Sequence, residues 1–176
     1  DYGNTSKMAE AVASGVGSVK GVEAVIKKAE DATGDDMKSA EAVVVGTPVH
    51  MGSMDARIKL FIDRHCSRLW MADAMVGKIG AVFATGSGFG NAGGGAEQAM
   101  LSILANFAEL GMIIVPLPKN SPGYAVGGLH WGPYARSSSE KMEPVGVKDE
   151  SLEAAKAHGA NVARLAVSLS GKKIFN

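Results

Sequence analysis

The run Ala42-Val43-Val44-Val45-Gly46 carries no polar side chain, and Met112-Ile113-Ile114-Val115 repeats that character later in the chain. A strand with one face in water alternates apolar and polar residues, whereas a strand apolar throughout has to be covered on both faces. The segments around these runs have the helical period instead. Met8, Val12, Val16 and Val19 fall on one side of a helix. Ile58, Phe61, Ile62 and Leu69 do the same, opposite Arg57, Lys59, Asp63, Arg64 and Arg68. Met100, Ile103, Leu104 and Phe107 mark a third helix ended by Gly111, and Leu152, Val162, Leu165 and Leu169 mark a last one over 149–170. Residues 78–84 read as a further strand, 22–28 alternate as an edge strand would, and 35–40 suit a short helix. Strands alternating with helices, with the strands buried on both faces, imply an α/β fold: a parallel sheet between two helical layers.

The 176 residues are 46% hydrophobic, enough for one well-buried core, and no linker divides them, so 1–176 reads as one domain. Lys+Arg and Asp+Glu number 18 each, which argues against a nucleic-acid or membrane surface held by bulk charge. No apolar run approaches the length of a membrane span, and no signal-peptide pattern is visible. With Cys66 as the single cysteine there is no internal disulfide, which fits a reducing, cytoplasmic setting.

The opening stretch Asp1-Tyr2-Gly3-Asn4-Thr5-Ser6-Lys7 stands directly before the first helix. Gly3 lets the backbone approach a ligand closely, and Asn4 and Thr5 are natural N-cap residues. Free amides and the positive end of a helix dipole at one spot suit a phosphate. A loop of this kind normally follows a strand, so a first strand, in the middle of the sheet, is expected ahead of Asp1. In a parallel sheet every strand-to-helix loop emerges at the carboxyl end. Residues 2–7, 47–53 and 85–95 are three such loops, able to hold a phosphate in the first and a flat ring between the other two.

Tyr2-Gly3-Asn4-Thr5 followed by Lys7-Met8-Ala9 resembles the FMN phosphate loop of flavodoxin-like proteins. Gly46-Thr47-Pro48 leading to Gly52-Ser53-Met54, then Arg57-Ile58-Lys59-Leu60-Phe61-Ile62-Asp63 and Leu69-Trp70, resembles the WrbA-type NAD(P)H:quinone oxidoreductases. So do Phe83-Ala84-Thr85-Gly86-Ser87, Gly93-Gly94-Gly95-Ala96-Glu97, Leu110 to Pro116, and Gly132-Pro133-Tyr134. The resemblance covers nearly the whole chain. It implies a flavodoxin-like three-layer sandwich with sheet order 2-1-3-4-5, FMN as cofactor, NAD(P)H and a quinone-like molecule as partners, and a homo-oligomer, dimer or tetramer. It also implies that Tyr2, Gly3, Asn4 and Thr5 hold the phosphate. Pro48, Val49, His50, Met51 and Gly52 on one side, and Thr85, Gly86, Ser87, Gly88, Phe89 and Gly90 on the other, would flank the isoalloxazine. Val49, His50 and Met51 depart from the Thr, polar or basic, and aromatic residues common there. The third loop carries extra residues around Phe89-Gly90-Asn91-Ala92.

Some single residues have two readings. His130, beside the Gly-Pro-Tyr match in the glycine-rich stretch 116–148, is the candidate catalytic side chain near the flavin, against a solvated loop histidine. His50 is either solvated or close to the ring; His65 reads as a packing residue, and Cys66 as a structural thiol. Trp70 suits a core or a subunit interface, and Arg136 and Lys141 are either solvated or partners of a 2′-phosphate. No metal-ligand spacing is evident. The expected function is FMN-dependent transfer of two electrons from NAD(P)H to a quinone-like acceptor. The alternatives are a flavodoxin-type one-electron carrier between proteins and a flavin-binding regulator without turnover.

Overall fold

The computed structural model describes residues 3–90 and 92–175. In chain order these form α1 (Asn4–Gly17), α2 (Gly34–Ser39), β1 (Ala42–His50), β2 (Ser53–Met54), α3 (Ala56–Met71), β3 (Ile79–Gly86) and α4 (Ala96–Glu109). There follow β4 (Ile113–Ile114), α5 (Tyr124–Gly127), β5 (Gly128–Leu129), β6 (Gly132–Arg136) and α6 (Asp149–Leu169). β1 and β3 run parallel in one unbroken register, from Ala42 opposite Ile79 to Pro48 opposite Thr85. β4 pairs with the first residues of β3 and β6 with its last three, both in parallel. The next strand position is therefore filled by two separate pieces of chain.

The pleat of this sheet sorts the side chains into layers. Val43, Val45, Val82 and Ala84 join Met37, Leu69, Met100, Ile103, Leu104 and Phe107 of α2, α3 and α4 on one face. On the other face Val44 and Phe83 meet Met8, Val12 and Ala155, while Ile79 and Ala81 meet Val162 and Ala166. This is a flavodoxin-like α/β sandwich.

α1 and α6 touch backbone to backbone. A methyl group on Gly15 would fall 1.9 Å from the Lys156 carbonyl oxygen, and one on Gly159 would fall 2.1 Å from that of Val12. On α6, His158 is fully buried, and neither of its ring nitrogens has a hydrogen-bond partner among the described residues. Burial alone lowers its pKa to about 4.

Several expectations change. Residues 22–28 form no strand and pair with none among the described residues, and Val25 and Ile26 are exposed. Alternation supplies a strand's side-chain pattern, but a strand also needs a neighbour for its backbone, and none of the described residues lies beside it in a ladder. The sheet order seen here accordingly covers only the later part of the expected 2-1-3-4-5. The stretch 116–148, too long and glycine-rich for a plain connection, carries α5, β5 and β6 and returns to the sheet. Gly132 and Pro133 disguise β6: Pro133 cannot donate to a ladder and sits at an early position of a short strand. Gly132 is there because any side chain would meet the Val82 carbonyl oxygen, 2.0 Å from its Cβ position.

Candidate functional site

At the carboxyl end of β3 the separate loops come together. Gly3 precedes α1 at φ 74°, a left-handed conformation that glycine adopts without strain, and no side chain caps the helix. Asn4 and Thr5 are therefore first-turn residues, and the cap expected of them belongs to Gly3, because the turn into α1 needs a positive φ. The amides of that first turn have no acceptor within the helix. The Thr5 hydroxyl lies 2.7 Å from that of Thr85, a residue 80 positions away. Only one of the two can donate in that contact, so the other proton is free for a further acceptor. Tyr2 lies outside the described residues.

The expected second loop is largely strand. β1 continues through Thr47, Pro48 and Val49 to His50, then turns tightly at Met51 and Gly52 into β2, with Val49 opposite Met54 and His50 opposite Ser53. Both turn residues have positive φ, 48° and 78°, as a two-residue hairpin turn matching strand twist requires. Met51 is fully exposed and strained there, at a cost of about 1 kcal/mol or more. Strain of this kind gathers at ligand-binding positions.

Asp55 fixes the hairpin to α3. Its carboxylate accepts from the Arg57 amide at 2.8 Å and from Arg57 Nε and Nη2 at 2.8 and 2.9 Å, while its own amide donates to Thr47 Oγ1. His50 Nε2 is 3.1 Å from Asp55 Oδ2. The hydrogen bonds from the Arg57 side chain hold the Asp55 carboxyl well below the usual carboxylate range. Sequence reasoning passed over Asp55, although Asp directly before a helix-periodic run is an N-cap signal.

The third loop leaves β3 after Gly86. Gly95 is the N-cap of α4, and a methyl group on it would sit 2.4 Å from Gly52 Cα, so the second and third loops touch through their backbones. Gly86 is similarly close to Val49, with 3.3 Å between its Cβ position and that of Val49. The Ser137 amide donates to the Gly86 carbonyl at 2.9 Å. Arg136 Nη1 and Nη2 donate to the carbonyls of Gly90 and Gly88 at 2.5 and 3.0 Å. Ser87, between β3 and Gly88, is half-buried, while Phe89, between the two held peptides, is exposed.

The structure thus gathers Gly3, Asn4 and Thr5 with Thr85, and Pro48 to Gly52 with the 85–90 segment, at one rim. It does not bring His130 there. His130 lies exposed in the turn between β5 and β6, at the amino end of β6, while the rim forms at the carboxyl end beside Arg136. The neighbouring Gly132-Pro133-Tyr134 motif runs away from His130 along the strand, so proximity in sequence did not translate to the site. The Tyr134 hydroxyl is buried, with no hydrogen-bond partner among the described residues, and burial raises its pKa. Cys66 is the structural thiol expected, 3.4 Å from Asn106 Oδ1 and pushed up to about 11 by burial. His65 packs on Phe61 with ring centroids 4.9 Å apart. Two depressions, of about 370 and 280 Å³, lie away from the rim, one beside Gly34 and His65 and the other beside Gly77 and Phe175. The described residues contain no metal-binding cluster of His, Cys, Asp and Glu, and no helix long and apolar enough to cross a membrane.

The sequence profile described as NADPH-dependent FMN reductase matches residues 3–121, most of the chain and all three rim segments. The chain belongs to the NADPH-dependent FMN reductase family. An NAD(P)H dehydrogenase (quinone) of Syntrophobacter fumaroxidans is 32% identical over 96% of this chain and 94% of its own length. Among solved structures, a flavodoxin-type, WrbA-like protein from Agrobacterium tumefaciens superposes with a TM-score of 0.70 at 26% identity, covering 96% of this chain and 92% of that one. Flavodoxin 1 from Bacillus cereus, at 17% identity and a TM-score of 0.64 over 93% and 92% of the two chains, shares the fold.

As a member of this FMN reductase family the chain is an FMN-dependent oxidoreductase. The rim fits that cofactor: uncapped amides and a hydroxyl with a proton to spare suit a phosphate, and the two loops beside it are held together by backbone contact.

Proposed function

We propose that this FMN reductase family member passes two electrons from NAD(P)H to a quinone-like acceptor, using FMN held at the rim. The observation that carries the reading is the meeting of the three segments: Thr5 bonded to Thr85, and Gly52 against Gly95. The name of the Syntrophobacter fumaroxidans relative supports the choice of donor and acceptor. Bound FMN supplies the redox chemistry. The amides of Gly3, Asn4 and Thr5 would hold its phosphate, with Tyr2 beside them, and the Thr5–Thr85 pair would donate the remaining hydroxyl proton. Pro48, Val49, His50, Met51 and Gly52 would line one side of the ring, and Thr85, Gly86, Ser87, Gly88, Phe89 and Gly90 the other. Met51 and Phe89, both exposed, give that opening an apolar lip suited to a planar acceptor.

The test is spectroscopic. Purified protein loaded with FMN should bleach on anaerobic addition of NADH or NADPH and recover its colour on adding a quinone. Colour that NAD(P)H leaves untouched would favour a carrier supplied by another protein. At the phosphate site, Thr5→Val should weaken FMN about tenfold, close to 1.5 kcal/mol, the lower end for a charge-assisted hydrogen bond because Thr85 remains beside it. An unchanged FMN titration would mean that Thr5 only packs.

The reading extends to one FMN-binding domain over 1–176, acting in the cytoplasm as a homo-oligomer. Trp70 and Trp131 are exposed, and aromatic side chains of this kind are enriched at subunit contacts. His130, beside Trp131, would then reach a rim only across a subunit boundary. Light scattering that shows a monomer over a wide concentration range would remove both statements.

A further inference from the structure

Arg136 differs from the other cations of the chain in where it sits rather than in lacking a carboxylate: like most of them it has none within ion-pair distance among the described residues. Its guanidinium is half-buried and spends two donors on backbone carbonyls of the third rim loop, Gly90 at 2.5 Å and Gly88 at 3.0 Å. Its Nε is buried with no acceptor among the described residues. Leaving that donor unpaired costs free energy, so the arrangement persists on the strength of the fork to the loop.

The loop needs such a hold. Gly88, Gly90, Gly94 and Gly95 all have positive φ, and glycine-rich segments lose much conformational entropy on ordering. Arg136 is itself anchored: it is the last residue of β6, opposite Gly86, and the next residue, Ser137, bonds the Gly86 carbonyl. A planar fork can bridge the two carbonyls that flank Phe89, and a point charge such as lysine cannot bridge both.

We propose that Arg136 is a positioning residue for the cofactor: its fork locks the third rim loop, and its uncompensated charge biases the site toward the reduced, more negative FMN. This rests on reading the rim as the FMN site, but the loop half of it does not require FMN to be present. A positive charge in a partly desolvated place favours added electrons nearby, whereas the backbone and glycines of the rim are neutral.

Two variants separate fork from charge. Arg136→Lys keeps the charge and loses the double bridge; Arg136→Gln loses both. Chymotrypsin, which cuts after Phe89, should cleave the loop of the FMN-free protein about tenfold faster in both variants than in the unaltered protein. In the FMN-loaded protein, Arg136→Gln should weaken reduced FMN about tenfold relative to oxidised FMN, a fall in midpoint potential of about 30 mV for a two-electron couple. Arg136→Lys should leave the potential where it was. Equal cleavage of all three proteins overturns the lock, and an unchanged potential in Arg136→Gln overturns the charge. If Arg136→Gln does not fold, Arg136→Lys still decides the lock by cleavage, and a fall in its potential equally contradicts the assigned role of charge. Protein that binds no FMN, yet shows faster cleavage in the variants, would remove the flavin reading while leaving the lock in place.

Discussion

Between pH 7 and pH 5 the protein should lose about 2 kcal/mol of stability, and about 3 kcal/mol by pH 4, on account of one side chain. His158 is fully buried, and its pKa is lowered from 6.5 to about 4 by burial. In the unfolded chain it takes up a proton as the pH falls through 6.5, while in the folded chain it does so only near 4. The unfolded state therefore binds more protons throughout that window, and stability present above 6.5 drains away as the folded value is approached. Asp36 and Asp55 act lower on the scale. Their folded values are depressed beneath the ordinary 3.8, so their contributions are complete above that value and disappear only in stronger acid. Urea unfolding of the unaltered protein and of His158→Leu at pH 7, 6 and 5 isolates the effect. The variant should show a flat profile, since an apolar side chain has no proton to take up. A flat profile in the unaltered protein would mean that His158 has an acceptor in solution.

Gly15→Ala should destabilise the protein by about 2 kcal/mol, although the same change on an exposed helix stabilises by about 1 kcal/mol. The reversal comes from α6. The new methyl group would sit 1.9 Å from the Lys156 carbonyl oxygen, and a backbone atom in the middle of a helix cannot step aside alone. Gly17, two residues on in the same helix, has nothing within 4 Å of its Cβ position and has no positive φ, so Gly17→Ala is the matched control and should be neutral or stabilising. Displacing α1 also displaces its amino end, so Gly15→Ala should weaken FMN binding while Gly17→Ala leaves it alone. Equal melting temperatures for the two variants would show that α1 slides freely along α6.

The sandwich was legible because its evidence is periodic and local. Val43, Val44 and Val45 announce a strand covered on both sides, and α3, α4 and α6 show their inward faces through side chains three and four residues apart. What stayed hidden depends on contacts between distant segments. No local rule pairs Thr5 with Thr85, or sets the Gly95 backbone on Gly52. Residues 47–53 read as a loop because Thr47-Pro48 has poor strand character, yet the register against β3 carries the strand on to His50. The reverse happened at 22–28, where a good strand pattern finds no neighbour. Arg136 reads as a solvated charge until β6 is recognised, and β6 is masked by its opening glycine and proline. His158 carried a usable signal: it lies four residues before Val162 on the same face, a position where a polar ring is bound to be enclosed.

The contact of α1 with α6 has a consequence for how the protein is made. α1 leaves the ribosome early, and the helix whose backbone it must touch through Gly15 and Gly159 leaves it late. Until then the glycine-lined side of α1 has nothing to rest on, and the part of the sheet face that carries Ile79 and Ala81 lies bare. The nascent chain should therefore be unable to take up FMN, however complete its rim loops, until α6 has docked. Cofactor loading is in this sense a check that synthesis has run through α6: a chain stalled before it keeps its apolar face open to chaperones and proteases, and stays colourless.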